Sequence, residues 1–91
     1  MEKPLFIPLR REWFDKIDRG EKTIEYRAYG PRWNERTCQI GRAVVVSLGY
    51  GKQRRLSKVI SSFTPLNWAE APEEVQAIYP DAAFIAAIGL R

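Results

Sequence analysis

The stretch Gly20-Glu21-Lys22-Thr23-Ile24-Glu25-Tyr26-Arg27 joins a helical pattern to a strand pattern, and the fold reads outward from it. On its N-terminal side, Arg10 to Arg19 places Trp13, Phe14 and Ile17 on one face and Asp15, Lys16 and Asp18 on the other, the spacing of an amphipathic helix. Gly20 stands where a helix C-terminal glycine belongs, with Arg19 in the last turn. On the C-terminal side, Lys22 to Ala28 alternates as a strand, with Ile24 and Tyr26 on one side and Thr23, Glu25 and Arg27 on the other. Strict alternation sends Lys22 to the face opposite Glu25 and Arg27. It joins them only if the chain bends or bulges between Gly20 and Thr23.

Beyond this stretch the chain reads as short elements. Leu5-Phe6-Ile7, flanked by prolines, suits a first or edge strand. Gly30-Pro31 is a break, and Pro31 can open a turn of helix through Trp33 to Arg36. Ala43 to Leu48 is an apolar run typical of a central strand. Gly49 to Gln53 is a turn, and Arg54 to Phe63 a further strand. Asn67 to Pro72 is a loop or capped turn. Pro72 to Ile78 suits a short helix, with Glu73 and Glu74 in its first turn, where the helix dipole favours them. Ala82 to Leu90 is the last strand. The connections are too brief for parallel crossovers, so the expected fold is α+β: a mostly antiparallel sheet or small barrel with flanking short helices, forming one domain over residues 1–91. Trp13, Phe14, Phe63 and Phe84 read as core, and Trp68 is undecided.

Composition excludes much chemistry. The 91 residues contain one cysteine, Cys38, and no histidine. A disulfide within the chain, a structural zinc site and His-based acid–base catalysis are therefore not expected. No metal and no cofactor is expected, since only carboxylates are left as side-chain metal ligands. Proton transfers, if any, fall to Lys, Glu, Asp, Tyr or water. No apolar run approaches the roughly 20 residues of a membrane span, and the run from Leu5 to Ile7 is too short for a signal peptide. A soluble, cytoplasmic protein without a membrane partner is expected. The net charge of +4 is unevenly divided: Met1 to Ser57 holds 13 Lys and Arg against 7 Asp and Glu, and Lys58 to Arg91 holds 2 against 4. The basic part suits an anionic partner or a plain solvated surface.

Two groups of residues are candidates for a site. Lys22, Glu25 and Arg27 form either a salt-bridge set on a solvated strand or a mixed-charge cluster. In such a cluster Arg27 offers a planar fork to a phosphate or base edge. Lys22 offers a charge or an amine, and Glu25 holds the cations or acts as a base. The second group interleaves aromatic and basic side chains: Tyr26, Tyr29, Arg32, Trp33 and Arg36, then Tyr50 between two glycines, followed by Lys52, Arg54 and Arg55. That is what base stacking and phosphate pairing require. Trp33 can equally be core.

With these residues in place, the chain resembles the ASCH family of the PUA-like β-barrel superfamily. The family hallmark, G-x-K-x-x-E-x-R after the first helix, stands complete as Gly20, Lys22, Glu25 and Arg27. Pro31-Arg32-Trp33, Gly49-Tyr50-Gly51 and Ile78-Tyr79-Pro80 follow in the order of small bacterial, phage and prophage members. The resemblance implies a small, mostly antiparallel PUA-like (ASCH) β-barrel with a cleft beside the barrel mouth. It implies binding of RNA or a nucleotide, single-stranded RNA being favoured, with Gly20, Arg27, Arg32, Trp33, Tyr50 and Lys52 as binding residues. Some small members resemble hydrolases, either ribonucleases or amidohydrolases of acetylated cytidine. In these Lys22 and Glu25 would be catalytic. The amidohydrolase pattern has a Thr where this chain has Glu25, and a distant Glu for which Glu70, Glu73 and Glu74 are candidates. A third reading is a phage-type module that binds a host protein through Trp33 and Tyr50 without chemistry.

Overall fold

The computed structural model describes residues 3–91; Met1 and Glu2, part of the expected domain, lie outside the described residues. Eight elements follow one another: β1 (Leu5–Leu9), α1 (Arg11–Asp18), β2 (Ile24–Ala28), β3 (Ala43–Leu48), β4 (Arg55–Asn67), a 3-10 turn (Trp68–Glu70), α2 (Glu73–Ile78) and β5 (Phe84–Leu90). The strands form one five-stranded sheet in the order β1-β3-β4-β5-β2. It curls into a half-barrel in a small α+β domain. Among the described residues no helix is long and apolar enough to cross a membrane.

The sheet is mixed. β3, β4, β5 and β2 pair antiparallel, but β1 pairs parallel to β3, with Ile7 opposite Val46. The expectation that no connection allows a parallel crossover is corrected here. Residues 10–42, with α1 and β2 inside them, supply the long return that a parallel pair needs.

β4 is what curls the sheet. Its first half pairs with β3 and its second half with β5, and the register shifts between Ile60 and Ser62. One extra residue bends a strand and increases its twist, so a single long strand serves two neighbours. β4 also runs past its expected end at Phe63. Pro65 sits inside it opposite Ala86. The Trp68 N–H to Ala83 O bond sets the ladder's alternation, which turns the Pro65 nitrogen away from β5, where no donor is needed. Opposite the bulge, Gly89 leaves no room for a side chain: a Cβ there would lie 2.1 Å from Ser62 Oγ and 3.3 Å from Ser62 Cβ.

The main core lies between the curled sheet and α1, with Ile7, Phe14, Ile17, Val46, Ile60 and Ile88 all at most 2% exposed. A smaller one seats α2 on the other face of β5 through Val75 and Ile85, with Trp68 packed against it and donating Nε1–H to Tyr79 O at 3.0 Å. Two expectations are corrected. Phe84 is 49% exposed, because it opens β5 at the rim, edge-on to Tyr29. The expected turn of helix comes later than Pro31: residues 31–34 are bends, and the turn covers residues 35–37, closed by Cys38 N–H to Asn34 O at 2.9 Å. The Asn34 side chain caps that turn, accepting the N–H groups of Arg36 and Thr37, and donates to Gly30 O.

Gly89→Ala is expected to cost about 1–3 kcal/mol by overpacking the bulge. Ser62→Gly in the same chain should recover part of that loss. Urea unfolding of the two single variants and the double variant checks this.

Candidate functional site

In the half-barrel, β1 and β2 are the two end strands of the sheet and face each other without pairing. Arg27 spans the gap, donating from Nη2 to Pro8 O at 2.9 Å. A cavity of about 200 Å³ lies along this seam. β1 contributes Pro8 and Leu9, α1 Trp13, β2 Glu25 to Arg27, and α2 Glu74, with Tyr79 just beyond its end.

The turn at Gly20 brings Lys22 into the same cavity. Gly20 has φ +77° and follows the helix cap Arg19. Gly20 N–H bonds Ile17 O at 3.1 Å and Glu21 N–H bonds Lys16 O at 2.9 Å. This paired closure of a helix C-terminus needs the left-handed backbone that glycine adopts without strain. β2 then begins at Ile24, so Lys22 lies outside the strand and the alternation does not govern it. Its Nζ reaches to 3.7 Å from Glu25 Oε1.

Glu25 is the hub. It is 6% exposed and lies on the inward face of β2. Oε2 accepts from Arg27 Nε at 3.1 Å and lies 3.0 Å from Nη2. Oε1 accepts the backbone N–H of Tyr26 at 3.1 Å. Thr23 O and Tyr29 N–H bond β5 residues, so the ladder turns the Tyr26 N–H to the unpaired edge. The carboxylate therefore satisfies a sheet-edge donor and two cations at once.

Lys22 carries the perturbed titration of the site. Burial pushes its ammonium below the ordinary lysine value, and the charges of Glu25 and Glu74 oppose that shift. Nζ lies 5.1 Å from the Tyr26 ring centroid and 5.4 Å from that of Trp13, so aromatic faces supply part of its solvation. Burial also raises the Tyr79 phenol.

The remaining expected residues divide. Of the three distant glutamates only Glu74 lines the cavity. Glu70 closes its own turn by accepting Asn67 N–H at 3.0 Å, and Glu73, exposed as Glu74 is, does not line the cavity. Trp33 packs against the main core and carries Arg27 and Arg32 on its ring at 5.1 and 5.5 Å, behind the cavity rather than in it. Arg32 is exposed. Tyr50 and Lys52 sit on the β3–β4 turn, outside the cavity lining. Trp13 and Tyr79 escaped the sequence reading as site residues. Trp13 looked like core because it shares the apolar stripe of Phe14 and Ile17; its place at the stripe's edge, one turn from Lys16, was the available signal.

Comparison of the chain with protein-family models, with curated proteins and with solved structures finds no match in any of the three.

Glu25→Ala leaves two cations and an edge N–H without their acceptor. It is expected to cost about 3 kcal/mol, a fall of roughly 10 °C or more in Tm. Lys22→Met removes a desolvated charge and leaves the Glu25–Arg27 pair, so Tm should stay within about 4 °C of wild type. The folded Lys22 value lies below the unfolded one, so its penalty is fully present below the folded value and is relieved as pH rises toward the unfolded one. Lysine 13Cε NMR should show Lys22 titrating below free lysine, and lower still in Glu74→Gln; an ordinary value in both proteins contradicts this reading.

Proposed function

We propose that this cleft is a nucleotide pocket, and the chain an RNA- or nucleotide-binding module of the ASCH type in the PUA-like class. The observation that carries the reading is the convergence of Lys22, Glu25 and Arg27 in one cavity. Salt bridges on a solvated strand would not be walled by Trp13, Tyr26 and Tyr79. A nucleobase needs flat apolar faces to stack on and a few fixed donors and acceptors at its edge. Trp13, Tyr26 and Tyr79 offer the former; Lys22, Glu74 and the outer donors of Arg27 offer the latter. At about 200 Å³ the cavity is smaller than ordinary ligand sites of roughly 300–1,000 Å³, which suits one base with its sugar and not a strand. Titrating Trp fluorescence with cytidine and uridine monophosphates, and with a short single-stranded RNA at 50 and 200 mM salt, tests it. Binding should weaken at least tenfold in Lys22→Ala and in Trp13→Ala, and the RNA should bind less tightly at the higher salt. Absent binding, or RNA binding indifferent to salt and to both substitutions, overturns the proposal.

A second reading, a metal-independent hydrolase, draws on Glu74. This carboxylate faces the same cavity as Lys22 and acts on its charge. A lysine lowered by burial exchanges a proton more readily than a free one, and Glu25 or Glu74 is a proton acceptor within the site. Glu25, in the place of the family's Thr, is occupied by Arg27 and the Tyr26 N–H, which leaves Glu74 as the better base. Acylated cytidine and RNA incubated with wild type, Lys22→Ala and Glu74→Gln discriminate. Turnover lost in both variants supports hydrolysis; equal turnover in all three, or none in wild type, removes it.

A further inference from the structure

A pocket for one base leaves open how a longer strand would meet the molecule, and the outer face of the sheet offers an answer. On β1, Phe6 and Pro8 point away from the main core, whereas Ile7 and Leu9 are buried in it. Their neighbours across the sheet are Val45 and Ser47 on β3, and beyond them Ser57 and Arg55 on β4. The helices do not cover this patch: α1 packs on the inward face through Phe14 and Ile17, and α2 seats on β5. Ser57 and Arg55 are exposed, and Phe6 and Val45 half-buried.

At the edge of this patch stands Tyr50, 83% exposed, its ring 6.2 Å from that of Phe6. The turn that carries it is tied down. Gly49 N–H bonds Leu9 O at 2.9 Å, Leu48 N–H bonds Arg54 O at 3.0 Å, and Ser47 Oγ donates to Gly51 O at 3.1 Å. Arg55 lays its guanidinium 5.3 Å from the centre of the Phe6 ring. An exposed aromatic ring on a fixed turn, a second ring beside it and an arginine stacked on that ring are what successive bases and their phosphates require. The charge agrees: from Arg36 to Ala69, a span that includes β3, the turn and most of β4, the chain carries no Asp or Glu. Arg54 is not part of the patch, since it pairs with Asp18 at 2.8 Å over the Phe14 ring.

The patch is continuous with the cleft. Pro8 lies on the same face as Phe6, about 6.6 Å further along the strand, and Pro8 and Arg10 line the cavity. We propose that single-stranded nucleic acid lies across Phe6, Tyr50 and Arg55 on the outer face of β1, β3 and β4, and passes over Pro8 and Arg10 to place one nucleotide in the cleft. This rests on the nucleotide reading of the cleft.

Fluorescence anisotropy with labelled single-stranded RNA and DNA octamers, alongside a mononucleotide competed into the cleft, tests the path. Tyr50→Ala and Arg55→Glu are expected to weaken octamer binding at least tenfold while mononucleotide affinity stays within twofold. Arg55→Gln, a milder change, should lower the logarithmic salt slope by about 0.7 if one phosphate contact is lost. Unchanged Tm for all three keeps a loss of folding from imitating a loss of binding, and if one variant unfolds, the other two decide. Octamer affinity indifferent to the substitutions overturns the path even when the mononucleotide still binds. Octamer binding that is sensitive to Tyr50→Ala in a protein with no mononucleotide affinity sinks the cleft reading and the strand's route into it together. A nuclease-resistant protein partner that Tyr50→Ala releases, without any effect on the octamer, shows a protein-docking surface instead and also overturns the proposal.

Discussion

The Glu25 carboxylate holds together the seam between the two end strands of the sheet. A five-stranded sheet that curls without closing leaves two unpaired edges facing each other, and an unpaired edge is a row of donors and acceptors that must find partners. Glu25 takes the Tyr26 N–H of one edge and holds Arg27, and Arg27 reaches across to Pro8 O on the other. The seam is thus held by a charged strut instead of a β-ladder. A ladder would have filled the space between β1 and β2; the strut leaves a cavity there, with polar groups already in fixed positions on its wall.

Lys22 shows the cost of that arrangement. Its ammonium is drawn out of water by the Gly20 turn, and burial acts against its charge more strongly than the two carboxylates act for it. An exposed lysine on the same turn would serve stability better. A desolvated cation against the buried Glu25, in a cavity, is the feature on which the proposed binding role rests. The same cannot be said of Arg27, whose donors are directed to Glu25 and Pro8 and whose ring contact is Trp33. Arg27 works first as a structural strut, and only its remaining edge is left to meet a ligand.

Much of this was legible in the residues because it is local. The helix ending at Gly20, the shared face of Glu25 and Arg27 and the exposure of Tyr50 follow from backbone preferences acting over a few positions. The position of Lys22 was legible only as a condition on the bend, and the Gly20 turn meets that condition by ending the helix so that β2 starts after Lys22. What stayed hidden depends on long-range pairing. The parallel partnership of β1 with β3, the double duty of β4 and the rim position of Phe84 are set by which strands meet, and no short pattern encodes that. Glu74 could not be told from Glu70 and Glu73 for the same reason: the three lie within five residues, and only the docking of α2 on β5 decides which one faces Lys22.

A nucleotide in the seam cavity would be held by Lys22 and the aromatic walls. The chain's three tryptophans report on it separately, since Trp13 lines the cavity, Trp33 lies behind Arg27 and Trp68 is hydrogen-bonded to Tyr79 O. Indole N–H shifts in an NMR titration with a pyrimidine mononucleotide therefore report binding at this cavity. A nucleotide held there by Lys22 gives a saturable shift that is largest at Trp13 and is lost in Lys22→Ala. A Trp13 signal that stays in place at millimolar nucleotide, or that moves equally in Lys22→Ala, would contradict it.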